Sequence, residues 1–176
     1  NPKPLLGFSD ITALLNGFYA KTGLLTFHAP TCSENLSDYT LAELKRVVFT
    51  PEAAGVVAAA PPLEPKEGFV DREDRLRRIA PGTGRGRLVG GNISVFSMLV
   101  GTPWEPPLAG SILFLEEVGE EPYRIDRWLT HFVLTGRLAK CAGIVFGKFK
   151  DCGPGDEGSY QGTWTWQEVV ADRLGK

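Results

Sequence analysis

Histidine, cysteine and methionine are nearly missing from this chain: its 176 residues hold two, three and one of them. Cys32, Cys141 and Cys152 are odd in number, far apart and never in CxxC spacing. That argues against a disulfide framework and a zinc centre, and reduced thiols of a cytoplasmic protein are the expectation. No charge sign dominates either. Nineteen basic and 21 acidic residues are well mixed, for a formal net charge of -2, so neither nucleic acid nor an anionic membrane is an expected partner. No apolar run approaches the roughly 18 residues that span a bilayer, and no charged-then-apolar leader opens the chain. What is present is 43% hydrophobic content, enough for a buried core in one domain, or in one domain and part of another.

Short apolar blocks alternate with amphipathic stretches. Residues 5–8 read as a strand, Ser9 or Asp10 as the cap of a helix running to Thr22, Gly23 as its stop, and residues 24–28 as the next strand. Thr40-Leu41-Ala42-Glu43 is a capping box for a short helix to Val48. Between residues 50 and 81, Pro51, Pro61, Pro62 and Pro65 and the charged run 71–78 predict an irregular connection, with one short strand near Val56-Val57, and a domain junction. Arg77 and Arg78 there read as a solvated face. Residues 82–91, GTGRGRLVGG, spell GxGxG and lead into the strand candidate Arg87-Leu88-Val89 instead of a helix. The dinucleotide and P-loop readings therefore lack their context.

Gly90-Gly91-Asn92 precedes an amphipathic stretch over 93–100. The glycines admit close approach of either substrate or neighbouring backbone, and Asn92 reads as a helix cap. Glu121-Pro122 starts a helix that Gly136 ends, with Ile125, Trp128, Leu129 and Phe132 at helical spacing as its core face. Residues 142–149 form another buried-strand pattern, and Thr165-Trp166-Gln167-Glu168 is a capping box for a last helix through Leu174. The order of elements predicts an α/β fold with a partly parallel sheet.

Chemistry is most visible in residues 111–127, SILFLEEVGEEPYRIDR. Ile112 to Leu115 read as a strand buried on both faces, and Glu116 and Glu117 sit at its carboxyl end. In open α/β sheets ligands bind at that end, so these carboxylates are either solvated loop charges or chemical groups. Nucleophiles are harder to find. Gly7-Phe8-Ser9-Asp10-Ile11 imitates the start of a G-x-S-x-G nucleophile elbow, but Ile11 stands where the second glycine is needed, and Ser9 reads better as a helix cap. His28 ends a strand and could face a site, whereas His131 lies on an amphipathic helix. Ser9, His28 and Glu116 can be written as a triad that no spacing supports. His28 and Cys32 alone do not close a metal site.

Several blocks in order, Gly7-Phe8-Ser9-Asp10-Ile11-Thr12-Ala13-Leu14, Thr26-Phe27-His28-Ala29-Pro30, Gly90-Gly91-Asn92, Gly101-Thr102-Pro103, Leu113-Phe114-Leu115-Glu116-Glu117 and Tyr123-Arg124-Ile125-Asp126-Arg127, carry a resemblance. The chain resembles the LD-carboxypeptidase (muramoyltetrapeptide carboxypeptidase) family of serine peptidases. The resemblance implies the end of a flavodoxin-like N-terminal domain over residues 1–30, and over 31–176 an α/β C-terminal domain incomplete at its C-terminus. It implies a Ser-His-Glu triad with Glu116 as the glutamate, a cytoplasmic murein peptide as substrate, no metal or organic cofactor, and a task not assigned for Glu117. A branch of the family hydrolyses a peptide-nucleotide antibiotic. The resemblance also places the nucleophile in a Gly-rich turn upstream of the Gly-Phe-Ser-Asp block and the histidine downstream of Gly175. The chain, which opens at Asn1 and stops at Lys176, then reads as a fragment holding Glu116 alone of the three. By itself it is expected to be inactive, and a peptide-binding or homodimeric module stays open for it.

Overall fold

The computed structural model describes residues 3–31, 36–56, 76–153 and 164–175. In chain order these form β1 (Leu5–Gly7), a 3₁₀ turn (Ser9–Ile11), α1 (Thr12–Thr22), β2 (Thr26–His28), α2 (Asp38–Val48), β3 (Leu88–Asn92), α3 (Ile93–Ser97), β4 (Ile112–Val118), α4 (Pro122–Leu134), a second 3₁₀ turn (Leu138–Lys140), β5 (Gly143–Lys150) and α5 (Trp166–Leu174). β1 pairs with β2, and β3, β4 and β5 form a second sheet in that order. Every pairing among the described residues is parallel, which is the α/β arrangement the alternating pattern predicts.

Local signals account for most helix ends. Pro122 opens α4 after Glu121, where its fixed φ suits the first turn and its missing N–H costs no hydrogen bond. Thr165 and Glu168 form a complete capping box at α5, each satisfying a backbone N–H of the other's segment. Two caps differ from expectation. α2 is capped by Ser37, which accepts from Thr40 N–H; Thr40 lies inside the helix, because the earlier Ser37-x-x-Thr40 pairing takes precedence. Neither Ser9 nor Asp10 caps α1: a 3₁₀ turn intervenes, α1 is entered from Ile11, and no side chain caps either segment. Val56 lies in an exposed bend; Val57 falls outside the described residues, as do Cys32 and residues 58–75.

β4 is the middle strand of its sheet. Leu113 and Leu115 are completely buried and pack with Val89, Ile93, Phe96, Ile125, Leu129, Phe132, Phe149, Val169 and Val170 in one core. α4 presents Ile125, Leu129 and Phe132 to it, and the Asp126–Arg173 ion pair, with contacts at 2.5 and 3.0 Å, joins α4 to α5. Strand alternation puts Ile112, Phe114 and Glu116 on the opposite face from Leu113, Leu115 and Glu117.

The segment carrying β1, α1 and β2 joins this sheet by hydrogen bonds at an edge. From α1, the Asn16 amide bonds both backbone groups of Gly90: Nδ2 donates to Gly90 O at 2.8 Å and Oδ1 accepts from Gly90 N at 3.2 Å. One turn earlier, Thr12 Oγ1 accepts from Asn92 N at 3.1 Å. Both side chains are buried. Together they fix α1 against the carboxyl-terminal half of β3.

Candidate active site

The carboxyl ends of these parallel strands converge on one polar cluster. Glu116 and Glu117 are not loop charges following β4; both belong to the strand and are 7% and 3% exposed. Glu117 is paired on both oxygens. Its Oε1 accepts from Asn92 Nδ2 at 2.7 Å and from Val118 N at 2.8 Å, and its Oε2 from Ser94 N at 3.1 Å. Asn92 caps α3 as the sequence predicts, with Oδ1 accepting from Val95 N and from Ser94 Oγ. Glu117 therefore ties the start of α3 to β4, the task that the sequence left open.

Glu116 is the opposite case. On the other face of the strand, its Oε1 is buried without a hydrogen-bond partner, 3.7 Å from His28 Nε2. Both nitrogens of His28 are likewise buried and unpartnered, and among the described residues these three atoms are the complete set of buried side-chain polar atoms without a partner. Buried polar groups are ordinarily satisfied, so such a cluster marks a place where a missing partner belongs. Burial, and then the neighbouring Glu117 charge, push the Glu116 carboxyl up to about 7 against a smaller opposing effect of the Asn92 amide. Burial lowers the pKa of His28, which favours the neutral ring.

The backbone explains why these groups meet. His28 lies opposite Gly7 in the β1–β2 pairing, and its ring stands between those of Phe8 and Phe114, with centroids 5.3 and 6.1 Å away. A Cβ on Gly91 would stand 2.6 Å from Thr12 Oγ1 and 3.1 Å from His28 Nδ1. Close approach is thus the reason for glycine here, and what approaches is the protein's own chain.

Ser9 follows β1 after the single residue Phe8. It has φ of 54°, in the left-handed region that a non-glycine residue adopts only at a cost, and its residue is exposed. Strand, strained serine and helix follow one another as in a nucleophile elbow. The crowding that Ile11 was expected to cause is relieved at Gly7, where a Cβ would lie 2.1 Å from Ile11 Cγ2. Of the other candidates, His131 is on the exposed face of α4, and Arg77 and Arg78 are exposed. Among the described residues no group of three or more His, Cys, Asp or Glu side chains is placed to hold a metal ion. Thr12 and Asn16 are the positioning groups missed from sequence; the one available signal was two polar residues four apart in the first half of the helix.

Residues 85–176 match the model of the LD-carboxypeptidase C-terminal domain, and residues 1–29 match that of the N-terminal domain. The chain belongs to the LD-carboxypeptidase family. Among relatives of this LD-carboxypeptidase chain, a Bacillus subtilis protein named as a probable murein peptide carboxypeptidase is 35% identical over 159 residues, which cover 88% of this chain and 46% of that protein. The chain spans about half the length of the curated relatives it matches. The apo form of an inactive mutant of microcin C7 self-immunity protein MccF superposes with a TM-score of 0.74 at 27% identity, covering 99% of this chain and 56% of that one. A muramoyltetrapeptide carboxypeptidase from Oxalobacter formigenes gives 0.71 at 26%, covering 94% and 52%. The resemblance read from the blocks and the α/β fold read from the pattern are both borne out.

Proposed function

We propose that the protein containing this chain is a serine-type LD-carboxypeptidase that removes a terminal D-amino acid from murein peptides in the cytoplasm, and that Ser9 is its nucleophile and Glu116 its triad glutamate. Residues 1–30 would then end the N-terminal domain and residues 31–176 belong to the C-terminal one. The observation that carries the reading is the cluster of unpartnered buried atoms, His28 Nδ1 and Nε2 and Glu116 Oε1, at the strand ends beside the strained Ser9 turn. Placing the nucleophile at Ser9 revises the expectation of an upstream serine. The cap role that competed for Ser9 is not filled, and a strained backbone at an exposed serine needs a reason.

In the reaction, Ser9 Oγ attacks the scissile carbonyl while a histidine takes its proton, and the C–N bond then breaks as the same imidazolium protonates the departing D-amino acid. Water, activated by the imidazole, hydrolyses the acyl ester and restores the serine. The family resemblance puts that histidine in the segment following Gly175. Glu116 would hold the imidazole in the right tautomer and stabilise its protonated form. A carboxyl near 7 in the absence of the imidazole is then understandable, since its ionised form awaits a cationic partner.

A second reading within the family, cleavage of a peptide-nucleotide antibiotic, is favoured by the MccF superposition. Hydrolysis of an LD-tetrapeptide and of an aminoacyl nucleotide by the full-length protein separates the two. A fluorophosphonate probe should label Ser9, as mapped by peptide mass. Ser9→Ala should abolish the label and lower turnover about 10⁶-fold, and Glu116→Gln should lower it about 10³- to 10⁴-fold. Labelling at another serine, or a loss below about tenfold for Glu116→Gln, removes the residue concerned from the triad.

A further inference from the structure

A triad of serine, a later histidine and Glu116 leaves His28 without a task, yet its placement is tightly specified. Its strand position is fixed by pairing with Gly7, and its ring is held between Phe8 and Phe114. The absence of a side chain at Gly91 makes room beside Nδ1, and the Thr12 hydroxyl borders that same space. Nε2 stands 3.7 Å from Glu116 Oε1, a few tenths of an ångström beyond hydrogen-bonding distance, and both atoms are buried without a partner. Nothing else competes for that oxygen. Glu117, on the same strand, spends both oxygens on Asn92, Val118 and Ser94. Asn92 from β3 and Thr12 from α1 are uncharged, β5 brings Gly147 against the Glu116 Cβ, and no lysine or arginine among the described residues perturbs Glu116.

We propose that His28 is a positioning residue for the triad carboxylate: its Nε2–H donates to Glu116 Oε1, favours the ionised form and leaves the other oxygen to the catalytic imidazole. The inference rests on the reading of Glu116 as the triad glutamate. A hydrogen bond to a carboxylate is charge-assisted and favours the ionised form, opposing what burial and Glu117 do to the same group. A neutral imidazole has one N–H to give, and burial keeps this ring neutral. In the tautomer required, the proton is on Nε2 and Nδ1 is an acceptor on the side of the Thr12 hydroxyl.

The test is the titration of the Glu116 carboxyl, followed by carbon-13 NMR in the full-length protein, with the pH profile of kcat/KM on an LD-tetrapeptide. His28→Phe keeps a flat ring between Phe8 and Phe114 and removes the donor. It should raise the Glu116 midpoint and move the acidic limb of the rate profile with it, so that the loss at pH 6 exceeds the loss at pH 9 by about tenfold for each pH unit of displacement. His28→Gln, whose amide N–H takes the place of Nε2, should restore both, and His28→Asn, which reproduces only Nδ1, should not. If His28→Phe does not fold, the Gln and Asn variants carry the comparison. An unmoved midpoint, or an equal loss at every pH, overturns the proposal; loss of all turnover at every pH, with Gln failing to rescue, would make His28 the base itself. A displaced midpoint in a protein that cleaves no LD-peptide would uphold the pairing and sink the proposed function instead.

Discussion

The three-stranded sheet is approached in two ways. On its face, α4 and α5 lay down Ile125, Leu129, Phe132, Val169 and Val170 against Leu113 and Leu115. At its edge, α1 offers the Asn16 amide and the Thr12 hydroxyl to the backbone of β3. Apolar burial is large and non-directional, so it sets how stable the sheet is and only loosely where a neighbour sits. Hydrogen bonds to a fixed backbone contribute less each but are tied to single residues, so they set position. The edge is the attachment near which His28 approaches Glu116, and in the proposed function position there is what chemistry needs.

Breaking the face should cost the most. Leu129 is completely buried, and Leu129→Ala is expected to lower unfolding free energy by about 4 kcal/mol in urea titrations. Glu116→Gln should do the reverse with pH. A carboxyl near 7 when folded and near 4.5 when unfolded makes the native state hold its proton more tightly. The wild type therefore loses stability as pH rises from 4.5 through 7, by about 3 kcal/mol once above 7. The glutamine variant lacks that slope, so it should equal the wild type near pH 4.5 and exceed it at pH 8 while being the poorer catalyst. Asn16→Ala strips partners from Gly90 N–H and C=O and should cost about 2 kcal/mol. Amide exchange accelerated at Gly90 more than at Leu113 would show the damage to be confined to the edge. Thr165→Ala, at the α5 cap far from both attachments, should cost about 1 kcal/mol and leave Gly90 exchange unchanged.

Which parts could be read in advance follows from the range of the forces. Glu121-Pro122 and the Thr165–Glu168 box are complete within four residues, and both were legible. The Thr40 box failed because Ser37, three residues earlier, supplies a rival cap of the same chemistry. Glu116 could be placed by its position at the end of an apolar strand. Its burial and its approach to His28 could not, since the two are distant in sequence and meet through the pairing of different strands. The proposed role of Ser9 was hard to read for a steric reason: the elbow pattern looks for a glycine two residues after the serine, whereas here Gly7, two residues before it, leaves the room that Ile11 takes. Asn16 and Thr12 looked like ordinary polar breaks on a helix, because the backbone they satisfy lies far along the chain.

The Asn16 amide presents a donor and an acceptor side by side, the same pair that a neighbouring strand would bring. At Gly90 it acts as a one-residue strand, and β3, which among the described residues has no strand neighbour on that side, is closed at this point by a side chain. Exposed strand edges are where sheets of separate molecules join and aggregate. The amide that holds α1 to β3 therefore also covers the strand edge at Gly90.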